Sequence, residues 1–342
     1  MERIELTADP LKILIVKPSS LGDIVHSLPF LCSLHARYPD AAIHWVVAEG
    51  NEGALQRHPM IAKLWIIRKD RWKKIGSVKE TIGELSGLAN ALRRERFDLV
   101  VDLQGLLRSG MISGATGCQV RVGLSDSREG SDFFYTHKVD AGGGLHAVER
   151  YLRVAQALGC DTTNVSFPLP PLRESPGIAK LKEELGEYVV MIPGARWRTK
   201  RWPAERFGEL ASRLRLRSVV IGSGADTETA ETLVAVSGGR AVSVAGMTTL
   251  GELFSVIRGA KFVITNDSGP MHIAAACGRP VVAIFGPTDP DLTGPYGSGH
   301  IIVRKAADCS PCRMKKCHDM KCMNEITVED VYQAVLKLDP AA

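Results

Sequence analysis

LKILIVK at residues 11–17 runs directly into PSSLGDIVHSLP at 18–29, and the two read as a buried strand, a polar turn and a helix. The strand is a nearly continuous apolar run, the pattern of a strand covered on both faces. The same unit recurs outward from it. AIHWVVA (42–48), LWIIR (64–68) and FDLVVDL (97–103) read as further strands, and residues 23–38, 50–58 and 78–95 carry helical spacing of apolar positions. Strands alternating with helices predict a parallel sheet with helices on both sides. This first α/β unit closes with a helix over LHAVERYLRVAQALG (145–159).

NVSFPLPPLRESPG (164–177) breaks the pattern with Pro168, Pro170, Pro171 and Pro176, and reads as a linker. The alternation then restarts. EYVVMIP (187–193), RSVVIG (217–222), AVSVAG (241–246), KFVITN (261–266) and PVVAIFG (280–286) read as strands, with helices over 203–215, 226–236, 248–258 and 269–277. The expected class is α/β, with two doubly wound parallel-sheet domains (1–163 and 178–326) facing one another across a cleft. A tail, 327–342, carries the helix TVEDVYQAVLKL (327–338) and is expected to pack back on the first domain. A length of 342 residues suits two such domains.

Hydrophobic residues at 45% and charged residues at 24% exclude disordered and fibrous classes. The net charge of +5 is too small for a general nucleic-acid binder and fits an anionic ligand. Apolar runs such as PVVAIF (280–285) fall far short of the roughly 20 residues of a spanning helix. MERIELTADP (1–10) lacks the basic start and apolar stretch of a signal peptide, so a cytoplasmic protein is expected.

Open parallel sheets bind ligands beyond the carboxyl ends of their strands, so the turns after strands are the places to look for chemistry. In the first, Ser20 and Gly22 precede Asp23 at a helix start. Asp is a common cap there. The same carboxylate, kept ionised by the helix end, can also accept a proton from a hydroxyl. His26 follows one turn later. In MIPGARWRTKRWPAERF (191–207), five cations, Arg196, Arg198, Lys200, Arg201 and Arg206, stand against Glu205 after a strand, a set able to grip a diphosphate. In TNDSGPMHIAAACGRPVVAIFGPTDP (265–290), Asp267, Ser268 and Gly269 lead into a helix with His272 in its first turn. A helix start offers free N–H groups to phosphate oxygens, and Asp267 can meet a sugar hydroxyl or share a Mg2+ with a diphosphate. Lys200, Asp226 and Asp267 are expected to converge on one sheet edge. Cys309, Cys312, Cys317 and Cys322 are spaced C-x2-C-x4-C-x4-C, with His318 inside, a set that could hold a structural zinc or an iron–sulfur cluster, or stay a reduced or disulfide-bonded loop. Cys32, Cys118, Cys160 and Cys277 read as reduced, buried thiols.

KPSSLGDIVHSLP, DLQGLLRSG (102–110), HAVERYL (146–152), PGARWRTKRWP (193–203) and TNDSGPMHIAAACGRPVVAIFGPTDP together resemble the bacterial lipopolysaccharide heptosyltransferases, from about residue 11 to the end. The resemblance implies the GT-B fold of two facing Rossmann-like domains. It implies transfer of L-glycero-D-manno-heptose from ADP-heptose to the Kdo of the lipopolysaccharide inner core, with inversion. Asp23 then corresponds to the base. Arg196, Lys200, Asp226, Asp267, Ser268, Gly269 and His272 correspond to the donor site. Ser20, Gly22 and the basic segment IIRKDRWKK (66–74), with Arg68, Lys69, Arg71, Lys73 and Lys74, correspond to the acceptor side, as does Arg128 in SDSREGSDFFY (125–135). The implied partners are a Kdo-lipid A type glycolipid and the inner-membrane surface, met from the cytoplasmic face, without nucleic acid. PGARWRTKRWP is closer to type II enzymes and the amino-terminal half to type I, so heptosyl-Kdo-lipid A stays open as acceptor. The residues alone also leave a GT-B enzyme using another nucleotide-sugar, an epimerase, or a nucleic-acid-binding protein.

Overall fold

The computed structural model describes residues 3–6, 9–68, 78–172 and 174–342, without the side chains of 78–82. The chain divides into two compact units, Met1–Pro171 and Leu172–Ala342. The boundary falls inside the proline-rich stretch. Ser175 already caps the next helix, with Pro176 in its first turn, so the end of that stretch is helix start rather than linker.

The first unit holds strands β1 (Lys12–Val16), β2 (Ala42–Ala48), β3 (Lys63–Ile67), β4 (Leu99–Asp102), β5 (Arg121–Leu124) and β6 (His137–Val139). All pair in parallel, in the order β3-β2-β1-β4-β5-β6. Its helices are α1 (Leu21–His26), α2 (Leu28–Arg37), α3 (Val78–Glu95), α4 (Leu107–Ala115) and α5 (Ala147–Ala157). α5 packs on α1 and α2, while α3 packs on α4. Leu14, Val16, Val46, Val100, Leu92 and Ile112 form a buried core cluster between strands and helices.

The helix expected over 23–38 is two helices. Pro29 has no N–H to give to the turn before it, and Ser27 closes α1 by donating to the Asp23 and Ile24 carbonyls. Residues 50–58 hold only a short 3-10 turn at Glu52–Ala54. β5, β6 and α4 escaped the sequence reading. β5 and β6 are only four and three residues long. α4 contains Gly110 and Gly114, poor helix formers whose missing Cβ atoms admit the Phe134 ring.

Gly123 on β5 makes a similar close approach. A Cβ there would overlap the Tyr135 ring, whose hydroxyl donates to Asp102 at 2.7 Å. Gly123→Ala is therefore expected to destabilise this unit by about 1–3 kcal/mol. A lower urea midpoint at unchanged m would register it; an unaltered midpoint would contradict this packing.

The second unit repeats the plan. α6 (Pro176–Leu185) precedes β7 (Tyr188–Ile192), α7 (Ala204–Arg213), β8 (Arg217–Val220), α8 (Thr227–Val236), β9 (Ala241–Ser243) and α9 (Leu250–Gly259). Then come β10 (Val263–Asn266), α10 (Gly269–Ala276), β11 (Val281–Ile284), α11 (Pro290–Thr293), β12 (Ile301–Val303), α12 (Lys321–Asn324) and α13 (Val328–Leu338). The sheet is parallel, in the order β12-β11-β10-β7-β8-β9. β12, three residues long, was not foreseen. α7 packs on α8 and α13, and α9 on α6 and α10. α13 was expected to lie back on the first unit. Its buried Val331 and Val335 instead join Phe207, Leu210 and Met323 in the core of the second.

Candidate active site

Both sheets have the strand order 3-2-1-4-5-6 of doubly wound folds, the first read from β3 and the second from β9. The order reverses between β1 and β4 in one unit and between β7 and β10 in the other. In sheets of this order ligands bind beyond the carboxyl ends of the strands, at the switch point.

In the first unit the loops after β1 and β4 are joined at this point. The Ser19 N–H donates to Gln104 Oε1 (3.1 Å), and Lys17 Nζ donates to the Leu103 carbonyl (2.9 Å). Ser20 caps α1, and its N–H and hydroxyl both donate to Asp23 Oδ2, at 2.8 and 2.7 Å. Asp23 is thus a capping residue in fact. The same bonds fix a half-buried carboxylate at the sheet edge. Gly22 is buried in the first turn of α1. His26 is buried with its ring edge-on to His146 at 5.0 Å, and His146 Nδ1 accepts the Val148 N–H at the start of α5 (3.2 Å).

Behind the turn lies a polar network whose members are scattered over four separate sequence segments. Lys17 is buried, its ammonium 4.9 Å from the Tyr151 ring centroid. Burial pulls its pKa down, but Tyr151, Asp23 and Asp102 outweigh that and raise it above the ordinary lysine value. Asp102 is fully buried and accepts the Gln104 and Gly105 N–H groups (2.8 and 3.1 Å) as well as the Tyr135 hydroxyl. Burial raises its pKa against those bonds, and burial likewise raises that of Tyr151. The available signal was a lysine ending an otherwise apolar strand.

The residues expected on the acceptor side reach the same edge in part. The Arg128 N–H donates to the Gly105 carbonyl (2.9 Å), which brings its exposed side chain beside the β4 loop. Arg68 follows β3 and pairs with Glu49 (3.4 Å) and Glu84 (3.6 Å). Lys69, Arg71, Lys73 and Lys74 lie outside the described residues.

In the second unit the loops after β7 and β10 are tied by Asn266. Its Nδ2 donates to the Pro193 carbonyl (2.7 Å), and its Oδ1 accepts the Trp202 N–H (3.1 Å). This seats Lys200 beside Asp267, with Nζ to Oδ2 at 2.6 Å. The lysine side chain is 17% exposed and the aspartate 6%. The Thr288 hydroxyl donates to the same oxygen (2.6 Å), and the lysine also lies 4.6 Å from the Trp197 ring centroid. Ser268 caps α10, its hydroxyl 3.3 Å from that of Thr265. Gly269 opens the helix and His272 is buried one turn in.

Asp226 is held at the neighbouring strand end. Ser223 donates to it through N–H and hydroxyl (3.0 and 2.7 Å), and Arg201 pairs with it at 3.5 Å. A Cβ at Gly194 would come within 2.6 Å of the Asp226 carboxyl carbon, so that glycine is what lets the two loops meet. Lys200, Asp226 and Asp267 do share one edge. The five-cation cluster does not act as one: Arg196 and Arg198 are exposed, while Arg206 donates to the Asn324 and Ile326 carbonyls (2.7 and 2.6 Å) and serves packing. Thr288 and Asn266 both lie in the 265–290 segment, as short polar side chains whose partners are fixed only by tertiary contacts.

Neither expected metal site is assembled among the described residues. Asp267 Oδ2 is already taken by an ammonium and a hydroxyl, which leaves a poor Mg2+ ligand. Among the described residues no group of three or more His, Cys, Asp or Glu side chains is arranged to hold an ion, although Cys309, Cys312 and Cys317 lie near enough to Cys322 to add to the rise that burial causes in its thiol pKa. These four are free thiols, as are Cys32, Cys118, Cys160 and Cys277; of the eight, Cys118, Cys160 and Cys322 are buried.

Two α/β units of one topology, each presenting polar loops at its own switch point, are the architecture of the GT-B glycosyltransferases. The chain belongs to glycosyltransferase family 9 (heptosyltransferase), whose sequence profile matches residues 86–323. It is 34% identical over 324 residues to Lipopolysaccharide heptosyltransferase 1 of Pseudomonas aeruginosa, covering 90% of this chain and 87% of that one. It is 29% identical over 312 residues to Lipopolysaccharide heptosyltransferase 2 of Escherichia coli, covering 86% and 88%. An E. coli heptosyltransferase solved with ADP-2-deoxy-2-fluoro heptose has the same fold, with a TM-score of 0.77 at 26% identity, over 95% of this chain and 99% of that one. No helix among the described residues is long and apolar enough to cross a membrane.

Proposed function

We propose that this chain transfers L-glycero-D-manno-heptose from ADP-heptose to the Kdo of a Kdo-lipid A type acceptor, with inversion. Asp23 accepts the proton of the acceptor hydroxyl. The freed oxygen forms a bond to the anomeric carbon while the bond to ADP breaks, and the electron pair leaves on the diphosphate. Lys200, Arg196 and the N–H groups at the start of α10, next to Ser268 and Gly269, take up that charge. Asp267, Asp226 and His272 hold the sugar and nucleoside. Ser20, Gly22, Arg68 and Arg128 serve the anionic acceptor, together with Lys69, Arg71, Lys73 and Lys74. The enzyme works at the cytoplasmic face of the inner membrane, on a lipid substrate and without nucleic acid.

The observation that carries this reading is the Lys200–Asp267 pair at the second unit's switch point, an ammonium held in place where a diphosphate would sit. The type I acceptor is favoured by the higher identity to heptosyltransferase 1 than to heptosyltransferase 2. Competition and acceptor assays test it. ADP should inhibit turnover of ADP-heptose far better than UDP, and Kdo-lipid A should be consumed in preference to its heptosylated form. Preference for UDP would overturn the donor, and preference for heptosyl-Kdo-lipid A would move the chain to the type II reaction.

A further inference from the structure

The buried ammonium of Lys17 stands behind the Asp23 turn with nothing in the proposed reaction assigned to it. Burying a lysine is expensive, and an apolar side chain of similar volume is often as good or better for stability. Lys17 is 2% exposed. It spans the switch point itself, from the end of β1 to the Leu103 carbonyl just past β4 (2.9 Å). The titratable groups on the elements around it can be named. α1 supplies Asp23 and His26, β4 supplies Asp102, and α5 supplies Tyr151, with Glu149 and Arg150 on the same helix and His146 as its cap. Asp102 is already engaged by two backbone N–H groups and the Tyr135 hydroxyl, and Tyr151 stays neutral. Two carboxylates act on this ammonium, Asp102 and Asp23, and of the two Asp23 is the half-buried one, in the turn that leaves the same strand.

We propose that Lys17 is a positioning residue for Asp23: its ammonium, pinned to the Leu103 carbonyl and packed on Tyr151, holds the Asp23 carboxylate ionised and oriented in the β1–α1 turn. The proposal rests on Asp23 being the base only where activity is the readout. A positive charge nearby stabilises an anion, so removing it must raise the carboxylate's pKa. The acid limb of the pH profile then moves to higher pH.

The test compares wild type, Lys17→Met, Lys17→Gln and Lys17→Arg by two readouts. One is the 13C titration of the Asp23 side-chain carboxyl, assigned with Asp23→Asn. The other is the pH dependence of kcat with ADP-heptose and Kdo-lipid A. In wild type the carboxyl should titrate below the ordinary value of about 3.9. Lys17→Met should raise both the carboxyl titration and the acid limb by about one pH unit, while Lys17→Arg stays near wild type. Lys17→Gln keeps a donor for the Leu103 carbonyl and should show the same rise, which covers the case in which Lys17→Met does not fold. A folded Lys17→Met or Lys17→Gln with an unmoved carboxyl titration overturns the proposal, as does a wild-type value at or above 3.9. If Asp23→Asn keeps turnover, the base assignment falls instead, and the carboxyl titration still decides the role of Lys17.

Discussion

Asp23→Asn is expected to lower kcat by about 100- to 10,000-fold, the usual contribution of a general base. Donor affinity and fold should be nearly unchanged. The separation is clean because of how Asp23 is held. Its Oδ2 accepts the Ser20 N–H and hydroxyl, and an asparagine carbonyl in the same place can accept both. The turn therefore survives while the proton acceptor is lost. Steady-state kinetics with a thermal melt and an ADP titration would check it. Near-normal kcat in a folded variant would show that Asp23 only caps the helix.

Lys200→Met should raise the dissociation constant for ADP by about 100-fold, or about 2.7 kcal/mol, the scale of one charge-assisted contact to a diphosphate. Two effects add. The ammonium is removed, and the Asp267 carboxylate, 6% exposed, is left with Thr288 as its hydroxyl partner and repels the incoming anion. The second effect gives the prediction its sign test. Lys200→Met combined with Asp267→Asn should recover part of the lost affinity, because the uncompensated charge is gone. Calorimetric titration of the single and double variants measures this. A double variant no better than Lys200→Met would mean that the pair is structural and that the diphosphate sits elsewhere.

Much of this fold could be read directly from the chain. Buried parallel strands are nearly continuous apolar runs, so KILIV (12–16), AIHWVVA (42–48), YVVMI (188–192) and VVAI (281–284) announce themselves. Two of the four edge strands, β6 and β12, do not. HKV (137–139) and IIV (301–303) span three residues each and belong to a sheet only because β5 and β11 lie beside them. α4 was hidden for a related reason, since glycines lower helix propensity while serving the Phe134 ring.

The site divides along the same line. Asp23, Lys200 and Asp267 follow strands, carry charge and sit in glycine- or proline-marked turns, features that act locally and can be seen locally. Lys17, Asp102, Tyr135 and Tyr151 come together only through tertiary contacts across as many as 134 positions of sequence, from 17 to 151. Arg206 shows the converse. It reads as one of five phosphate-gripping cations, yet its guanidinium is committed to the Asn324 and Ile326 carbonyls, partners 118 and 120 residues away.

The most direct measurement is the anomeric configuration of the product formed from ADP-heptose and Kdo-lipid A, read by NMR alongside the same reaction with Asp23→Asn. A base-assisted single displacement requires an inverted anomeric carbon in every product molecule and next to no product from the variant. A retained configuration, or an inverted product formed at full rate without the Asp23 carboxylate, would contradict it.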